Sequence, residues 1–582
     1  MTSWPMDPAR DQPGSEPLYR LSSHVKQALE RLLVKYKIPG LCISVVRQKE
    51  GAWESGVTAL GIRDSSGSPW LPDVRSHLSD HARSQHAIAS CSKVFAAASV
   101  GILIARDTRL PNGETLAWTT KITTVLPDWT MMDKEVEENA DIEDALGKFT
   151  NDTPSAIVNR MRYHRPASSF RRTAIYSNSS LILAGEFISK LSGMPYHEFV
   201  ERNIFDPLGM KDSQFEHKVA LASGKRVEGF AHYDQTGPGH VGEVGRTAFW
   251  NEGDGLFLAA AGGAWSTGND ILLWLKETLT PRILSPAVLD ELNRPRTAWG
   301  AAQPPHSTMS QMFYGIGQHT HFYRGHLVVG HTGSLPGHYS FVFRLPDDDI
   351  ALALFCNDAT FGPDMLDTAL QILLDDLLDI PERVDWEDIF FTPGLQDAPL
   401  PRQSPTSPRP SGDITGTYTE GAYGELKVVR IEDHPMGAHI LELLKTYPGS
   451  TIPVREGAHI YLGDLAHDLR GSLLLSPVDG PIFTRAWIKA KPVQRIGGGR
   501  SYAAQLTGAG RCVVTQDGIG MFEDFWGQGG AVGGMIVRQV GTIECWQAMV
   551  LTASASVPPN RSFCDIATYI LANNWGLQLP TD

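Results

Sequence analysis

The sequence lacks the features that would assign it to a membrane, a secretory route or nucleic acid. Residues 1–17 are polar and interrupted by proline, without the apolar segment of a secretory leader. The longest nearly apolar run, 256–265, is about half the length that a helix needs to cross a bilayer. The formal charge is −14 and no dense lysine and arginine face is evident. We therefore expect neither nucleic acid nor a membrane as a partner.

Cysteine is sparse and unpaired in pattern. The six cysteines are Cys42, Cys91, Cys356, Cys512, Cys545 and Cys564, and no two form a C-x-x-C pair. In a long chain without a leader, this pattern favours buried free thiols over disulfides or a metal site. We expect a reducing, cytoplasmic location, no metal and no cofactor.

The length of 582 residues exceeds what one hydrophobic core usually organises, so more than one domain is expected. Five prolines between 399 and 410 predict a semi-rigid linker. The predicted division is an N-terminal tail (1–20), a first domain (21–395), the linker (396–412), an all-β barrel or sandwich (413–555) and a C-terminal tail (556–582).

Within the first domain, strand patterns flank a helical middle section. Residues 25–36 show helical spacing, and 41–46 and 53–60 read as paired strands. Residues 92–310 are predicted to be mostly helical. The last predicted elements are strands over 327–330, 340–345 and 350–356, a hairpin turn over 346–349 and a helix over 365–378. Strands so distant in sequence predict one sheet of mixed α+β architecture with a helical insertion.

The first candidate motif is SCSK at residues 90–93. Residues three apart on a helix share a face, so Ser90 Oγ and Lys93 Nζ can meet. A serine hydroxyl needs a neighbour to take its proton, and a lysine partly buried in an apolar wall can be that base. By itself the spacing is weak, because SHVK at 23–26 also fits it. An N-cap serine with a surface lysine is an equally good interpretation of residues 90–93.

The second motif is YSN at residues 176–178. A neighbouring ammonium favours a phenolate, so we expect a lowered pKa for Tyr176 and a share in proton transfer with Lys93. The Asn178 amide would orient Lys93 and a substrate carbonyl. The alternative is a half-buried tyrosine followed by a capping asparagine.

The third motif is HTGS at residues 331–334, directly after the strand predicted over 327–330. Gly333 would let a substrate lie against the strand edge, and the Ser334 N–H would help to bind an oxyanion. The alternative is a strand end followed by a polar turn.

Together, S-x-x-K, Y-x-N and H-T-G in this order resemble the motifs of β-lactamases and penicillin-binding proteins. The chain looks like class C β-lactamases and their relatives among D-aminopeptidases, carboxylesterases and acyltransferases. Residues 176–213, 260–275 and 330–358 also resemble that family. The resemblance implies an antiparallel sheet with helices and a helical subdomain. The segment after the linker more loosely resembles the lipocalin-like barrels of some relatives.

The resemblance also implies residue roles. Ser90 would be the acylated nucleophile, and Lys93 and Tyr176 the general-base pair. Asn178 would orient the lysine and the substrate, and the N–H groups of Ser90 and Ser334 would form the oxyanion hole.

One departure from the family pattern changes the expected substrate. His331 stands where penicillin-directed relatives carry lysine, and a mostly neutral imidazole is a weaker anchor for a carboxylate. Alternatively, His331 hydrogen-bonds Tyr176 and tunes its proton affinity. Antibiotic hydrolysis is therefore disfavoured, and an ester, thioester or peptide-like amide of a small molecule is expected.

Two further patterns are interpreted as structural. The acidic stretch 131–152 predicts a solvated surface helix. His319 and His321 would share one strand face, but a pair without a third ligand does not predict a metal site.

The leading functional prediction is a serine hydrolase that acts on a small acyl substrate through an acyl-enzyme at Ser90. An acyltransferase that passes the acyl group to an alcohol or amine remains open, because it differs only in the second step. A catalytically silent binding protein on the same fold is the third possibility. The oligomeric state is not predicted.

Overall fold

The computed structural model describes most of the chain in fourteen stretches. These are 17–70, 84–131, 153–163, 176–234, 240–247, 255–299, 304–391, 412–420, 424–446, 459–465, 472–496, 498–515, 518–521 and 534–538. The acidic stretch from 132 to 152, the proline-rich part of the linker and the C-terminal tail lie outside them. The chain divides into two compact units, residues 1–395 with 491–504, and residues 396–490 with 505–582.

Fourteen α-helices lie in the described residues. They are α1 (Ser23–Lys35), α2 (Lys93–Ala105), α3 (Ile122–Val125), α4 (Pro154–Arg160), α5 (Ser179–Ser192), α6 (Tyr196–Val200), α7 (Asp206–Leu208), α8 (His217–Ala222), α9 (Ala259–Gly262), α10 (Gly268–Leu279), α11 (Pro286–Asn293), α12 (Gly362–Leu377), α13 (Trp386–Phe390) and α14 (Gly437–Thr446). In the part of the chain that the structure describes, no helix combines the length and apolar character that a membrane span requires.

The strands of the first unit are β1 (Gly40–Lys49), β2 (Ala52–Gly61), β3 (His86–Ala87), β4 (Phe230–Tyr233), β5 (Glu243–Thr247), β6 (Trp265–Ser266), β7 (Thr297–Trp299), β8 (Met312–Tyr314), β9 (His319–Tyr323), β10 (His326–Leu335), β11 (His338–Leu345) and β12 (Ile350–Cys356). Eight of them form one sheet in the order β2-β1-β12-β11-β10-β9-β8-β7.

The sheet joins the two ends of the first unit, as the sequence predicted. Antiparallel pairing connects β1 to β12, with Leu41 opposite Cys356 and Arg47 opposite Ile350. The predicted partnership of β1 with β2 and the hairpin turn between β11 and β12 are also confirmed. The middle section is less helical than predicted, since β4 and β5 form a hairpin within it. These two strands are short and contain glycine, histidine and charged residues, so their apolar pattern was too weak to detect.

Helices cover the sheet with faces that their sequence periodicity defines. Val25, Leu29 and Leu32 of α1 are fully buried in the main core. The α12 residues in the same core, including Leu366 and Leu373, recur at helical spacing. A buried leucine stabilises the fold by roughly 1.5–3 kcal/mol, so these two helices contribute strongly to holding the sheet that carries the site.

The second unit is an antiparallel barrel-like sheet. Its strands are β13 (Gly416–Glu420), β14 (Gly424–Arg430), β15 (Tyr461–Leu465), β16 (Ser472–Asp479), β17 (Ile482–Arg495), β18 (Arg500–Thr515), β19 (Gly518–Met521) and β20 (Gly534–Arg538). The parts of β17 and β18 between 491 and 504 belong to the first unit. They follow the order β16-β15-β14-β13-β20-β19-β18-β17, and β16 also pairs with β17, so the sheet closes on itself. This confirms the predicted fold class; the exact domain limits stay a prediction.

Alternating side chains give the barrel two apolar layers. Leu473 and Leu475 of β16 pack in one core cluster with Tyr418 and Trp487. Leu474, between them, belongs to a second cluster that includes Ile440 and Leu444 of α14. The alternation follows from the two-residue period of a strand, with α14 covering the opposite face from the first cluster.

Candidate active site

Ser90 lies in a tight 3-10 turn, residues 89–92, immediately before α2. The turn is strained, because Ala89 has φ +48° in the left-handed region that favours glycine. Ser92 fixes it by donating a hydrogen bond from Oγ to the Ala89 carbonyl at 2.6 Å and accepting one from the Ala264 N–H at 3.1 Å. The position of Ser90 is therefore set by packing and hydrogen bonds around the turn.

Strands β10 and β11 are hydrogen-bonded to the same turn. Ser340 donates from Oγ to the Ile88 carbonyl at 2.6 Å, and Cys91 donates from Sγ to the His331 carbonyl at 3.1 Å. At Gly333 a Cβ would come within 2.2 Å of Ser340 Oγ and 2.3 Å of the Ile88 carbonyl oxygen. The glycine of the third motif is thus needed for close approach of the strand to the turn that carries Ser90.

Lys93 is completely buried at the start of α2. Its Nζ donates to Ser90 Oγ at 2.9 Å, to Asn178 Oδ1 at 2.7 Å and to the Ala261 carbonyl at 2.6 Å. Three oxygen acceptors around one amine form a specific pocket for a cation beside the serine hydroxyl.

Tyr176, from the YSN motif, also contacts Ser90 Oγ. Its hydroxyl donates to Ser90 Oγ at 2.8 Å, and Lys93 Nζ lies 4.8 Å from the centre of its ring. The expectation of a lowered pKa was wrong. Burial raises the pKa of Tyr176 and outweighs the opposing effect of the hydrogen bond with Ser90, so the phenol holds its proton at neutral pH.

Asn178 stands at the N-cap position of α5 but makes no side-chain capping hydrogen bond there. Its Oδ1 instead accepts from Lys93, as the orienting interpretation of the motif predicted. The competing SHVK motif is different, because Lys26 is half exposed and pairs with Glu30 at 3.7 Å.

His331 lies within β10, which runs on to Leu335, whereas the sequence placed the third motif after the strand. The polar residues of the motif concealed this continuation, which pairs with β11 throughout. On the other side, β9 pairs with β10 only as far as Gly330. Among the described residues, residues 331–335 therefore have no strand partner along that edge. Ser334 is exposed there.

The hydrogen bonds of His331 assign its tautomer. Nδ1 faces the Thr332 carbonyl and so carries the proton, while Nε2 accepts from the Tyr314 hydroxyl at 3.1 Å. The predicted bond from His331 to Tyr176 is replaced by this one, although the two rings lie 5.9 Å apart. Burial, followed by the charges of His319 and Lys93, lowers the pKa of His331 well below its ordinary value. The imidazole of His331 is therefore neutral at neutral pH, so this position offers no fixed positive charge.

Three aromatic residues that the sequence analysis did not assign to the site complete the surroundings. Tyr314 donates to His331, and the Trp299 ring lies 5.7 Å from that of Tyr176. His319 packs its ring 4.5 Å from that of His331. No motif marked these residues; the only available signal was their place on the strands preceding β10.

His319 and His321 share a face of β9, and both are buried. Burial is the main cause that lowers the pKa of His319 to about 3 and that of His321 to about 4. Among the residues that the structure describes, no group of three or more metal-ligating side chains is found.

The antiparallel sheet, the helical insertion and the convergence of a serine, a lysine and a tyrosine define a site of the β-lactamase class. Residues 24–376 match the family model described as Beta-lactamase. The chain belongs to that family.

Two curated relatives and two solved structures are similar to the chain. The unguisins hydrolase ungD' of Aspergillus campestris is 26% identical over 443 residues, covering 70% of this chain and 77% of the relative. The unguisins hydrolase ungD of Aspergillus violaceofuscus is 24% identical over 462 residues, covering 70% and 76%. The D-amino acid amidase from Ochrobactrum anthropi SV3 has a TM-score of 0.47 at 22% identity, covering 62% of this chain and 100% of that chain. A class C β-lactamase from Rhodobacter sphaeroides has a TM-score of 0.46 at 17% identity, covering 61% and 100%.

Proposed function

We propose that the protein is a serine hydrolase that cleaves an amide bond of a small peptide-like molecule through an acyl-enzyme at Ser90. The observation that carries the proposal is the position of Ser90 Oγ, 2.9 Å from Lys93 Nζ and 2.8 Å from the Tyr176 hydroxyl. Both groups lie within the distance that direct proton transfer requires.

In the proposed first step, Ser90 Oγ attacks the substrate carbonyl carbon and its proton passes to the Lys93–Tyr176 pair. The two groups touch the same oxygen and act as one coupled base. Because burial keeps the phenol protonated, the pair becomes basic by releasing a proton from Lys93, and Tyr176 relays the proton to the leaving nitrogen. The C–N bond breaks, leaving the Ser90 ester and a neutral amine.

In the second step, water attacks the Ser90 ester and gives its proton to the same pair. The ester bond breaks, Ser90 Oγ recovers a proton, and the acid product leaves. The backbone N–H groups of Ser90 and Ser334 are the proposed donors to the oxyanion in both steps. Asn178 holds Lys93 in place through its 2.7 Å bond.

Two features favour a peptide-like amide as the substrate. The open edge of β10 over residues 331–335 offers backbone groups that an extended peptide segment can pair with. The neutral His331 provides no fixed charge for a carboxylate, which favours uncharged substrates. The two similar curated proteins are named hydrolases of unguisins, which supports hydrolysis over transfer.

The experiment combines active-site labelling with turnover. Wild-type protein is treated with a fluorophosphonate and tested on a panel of peptide amides, esters and thioesters, with and without amine or alcohol acceptors. We expect labelling and amide hydrolysis in wild type and in Ser23→Ala, the matched serine of the exposed SHVK motif, and neither in Ser90→Ala. Product that contains the acceptor would replace hydrolase by acyltransferase. Absence of label and turnover in wild type would favour a binding protein.

A further inference from the structure

A second buried cation lies close to the site, on β11. Arg344 is 3% exposed. Its Nη1 donates to Gln318 Oε1 at 2.7 Å, and its Nε donates to Asn293 Oδ1 at 3.1 Å, with Nη2 on the same oxygen. All its acceptors are neutral amide oxygens, so none of them balances its charge.

No carboxylate among the described residues lies within 4.0 Å of the guanidinium, and Arg344 has no other hydrogen bond or ion pair. Burial lowers its pKa to about 9, which still leaves the group charged at neutral pH. Of its five N–H donors, three are used by Gln318 and Asn293, and two remain. A buried charge without a counter-ion is unfavourable, so a missing anion would explain the arrangement.

Arg344 also lines a small cavity behind the turn that carries Ser90. Gln318, Thr278, His331 and Cys91 line it as well. The cavity leaves about 10 Å³ for the centre of a water-sized sphere. That space is about the size of a single small particle, which favours a monatomic ion over phosphate, sulfate or a carboxylate.

We propose that this cavity is an anion site that holds one monatomic halide, chloride under cellular conditions, against the free N–H groups of Arg344. The ion neutralises the guanidinium and fixes β11 behind the Ser90 turn. The proposal concerns binding and stability and does not depend on which reaction the protein catalyses.

The first test measures thermal unfolding of the full chain in sodium chloride, bromide and gluconate at equal ionic strength and pH. We expect a midpoint that rises with chloride or bromide over gluconate and saturates with halide concentration. Arg344→Met should lose this dependence, and Arg202→Met, which removes an exposed guanidinium, should keep it. Equal midpoints for wild type in all three salts would overturn the proposal.

The second test needs no variant and so does not depend on the folding of Arg344→Met, which loses three hydrogen bonds. Wild-type crystals grown in sodium bromide are measured at the bromine absorption edge. An anomalous peak within hydrogen-bonding distance of the Arg344 guanidinium supports the halide. Density in the cavity without anomalous signal at saturating bromide identifies a water molecule and overturns the proposal.

Discussion

Lys93 and Arg344 are both buried cations in the first unit, yet their surroundings differ in what they contribute. Lys93 has three oxygen acceptors, one of which is the hydroxyl of Ser90. Arg344 donates hydrogen bonds to two amide side chains and lines a cavity. The amine of Lys93 contacts the hydroxyl of Ser90, the proposed nucleophile, whereas Arg344 contacts only amide side chains. Burial of a basic group therefore does not by itself mark a candidate catalytic residue; contact with the proposed nucleophile is the further criterion.

The largest expected effect is that of Lys93→Met, and it distinguishes Lys93 from Arg344. Lys93→Met should lower kcat/KM for an amide substrate by about 10³-fold, because Ser90 loses its proton acceptor. Arg344→Met should change kcat/KM by less than about tenfold while lowering the unfolding midpoint. Steady-state kinetics on folded variants checks both. Equal losses in activity would remove the distinction between the two residues.

Tyr176→Phe removes a hydroxyl that touches Ser90 but keeps the ring. We expect kcat to fall by about 10²-fold with KM nearly unchanged, because the lost contact serves proton transfer. Tyr163→Phe, which changes an exposed tyrosine, should behave like wild type. A change confined to KM would assign Tyr176 to substrate binding.

The interior of the first unit also contains buried histidines that are held neutral. These histidines make the stability of the fold sensitive to acid. Burial is the main cause that lowers the pKa of His86 to about 4. Between pH 6.5 and 4 the unfolded chain binds a proton there and the folded chain does not, so stability is lost as pH falls. His86 alone lowers the unfolding free energy by about 3 kcal/mol as the pH falls through this range.

Denaturant unfolding as a function of pH checks this contribution. His86→Gln should flatten the fall in unfolding free energy below pH 6.5, and His24→Gln, at an exposed position, should leave it unchanged. The same pH dependence in His86→Gln and wild type would show that His86 is not held neutral.

Gly333→Ala tests how closely β10 must approach the turn that carries Ser90. The new Cβ would meet the Ile88 carbonyl and Ser340 Oγ, so we expect destabilisation of about 1–3 kcal/mol and reduced kcat. Gly412→Ala adds a Cβ in open space and is the control. Wild-type activity in Gly333→Ala would mean that the turn tolerates displacement.

The smallest expected effect is that of Tyr314→Phe, which leaves the His331 Nε2 acceptor without its donor. The unfolding free energy should fall by about 1 kcal/mol, and kcat/KM should fall a few-fold. Urea unfolding and kinetics measured on one preparation check this. A loss as large as that of Tyr176→Phe would place Tyr314 among the proton-transfer groups.

The sequence predicted which residues of the candidate site lie together where they belong to short local motifs. Ser90 and Lys93 share one turn of chain, and Asn178 and Tyr176 share another, so spacing was informative. The sheet was predictable because β1, β11 and β12 each contain a short run rich in apolar residues.

Other features required tertiary contacts that no spacing reports. The Ala261 carbonyl has no side-chain signal, and Tyr314 follows no motif. The pKa of Tyr176 was predicted in the wrong direction, because the degree of burial could not be obtained from an adjacent lysine alone. Arg344 lies within the strand predicted over 340–345 but was not singled out, because its partners come from positions 293 and 318.

The most direct test of the central claim is the mass of the protein during turnover. Wild-type protein is mixed with a slowly hydrolysed ester or amide, quenched in acid, digested and mapped by mass spectrometry. We predict that the acyl group is found on the peptide that contains Ser90, and that it is absent in Ser90→Ala. An acyl group on another residue, or turnover that persists in Ser90→Ala, would contradict the account.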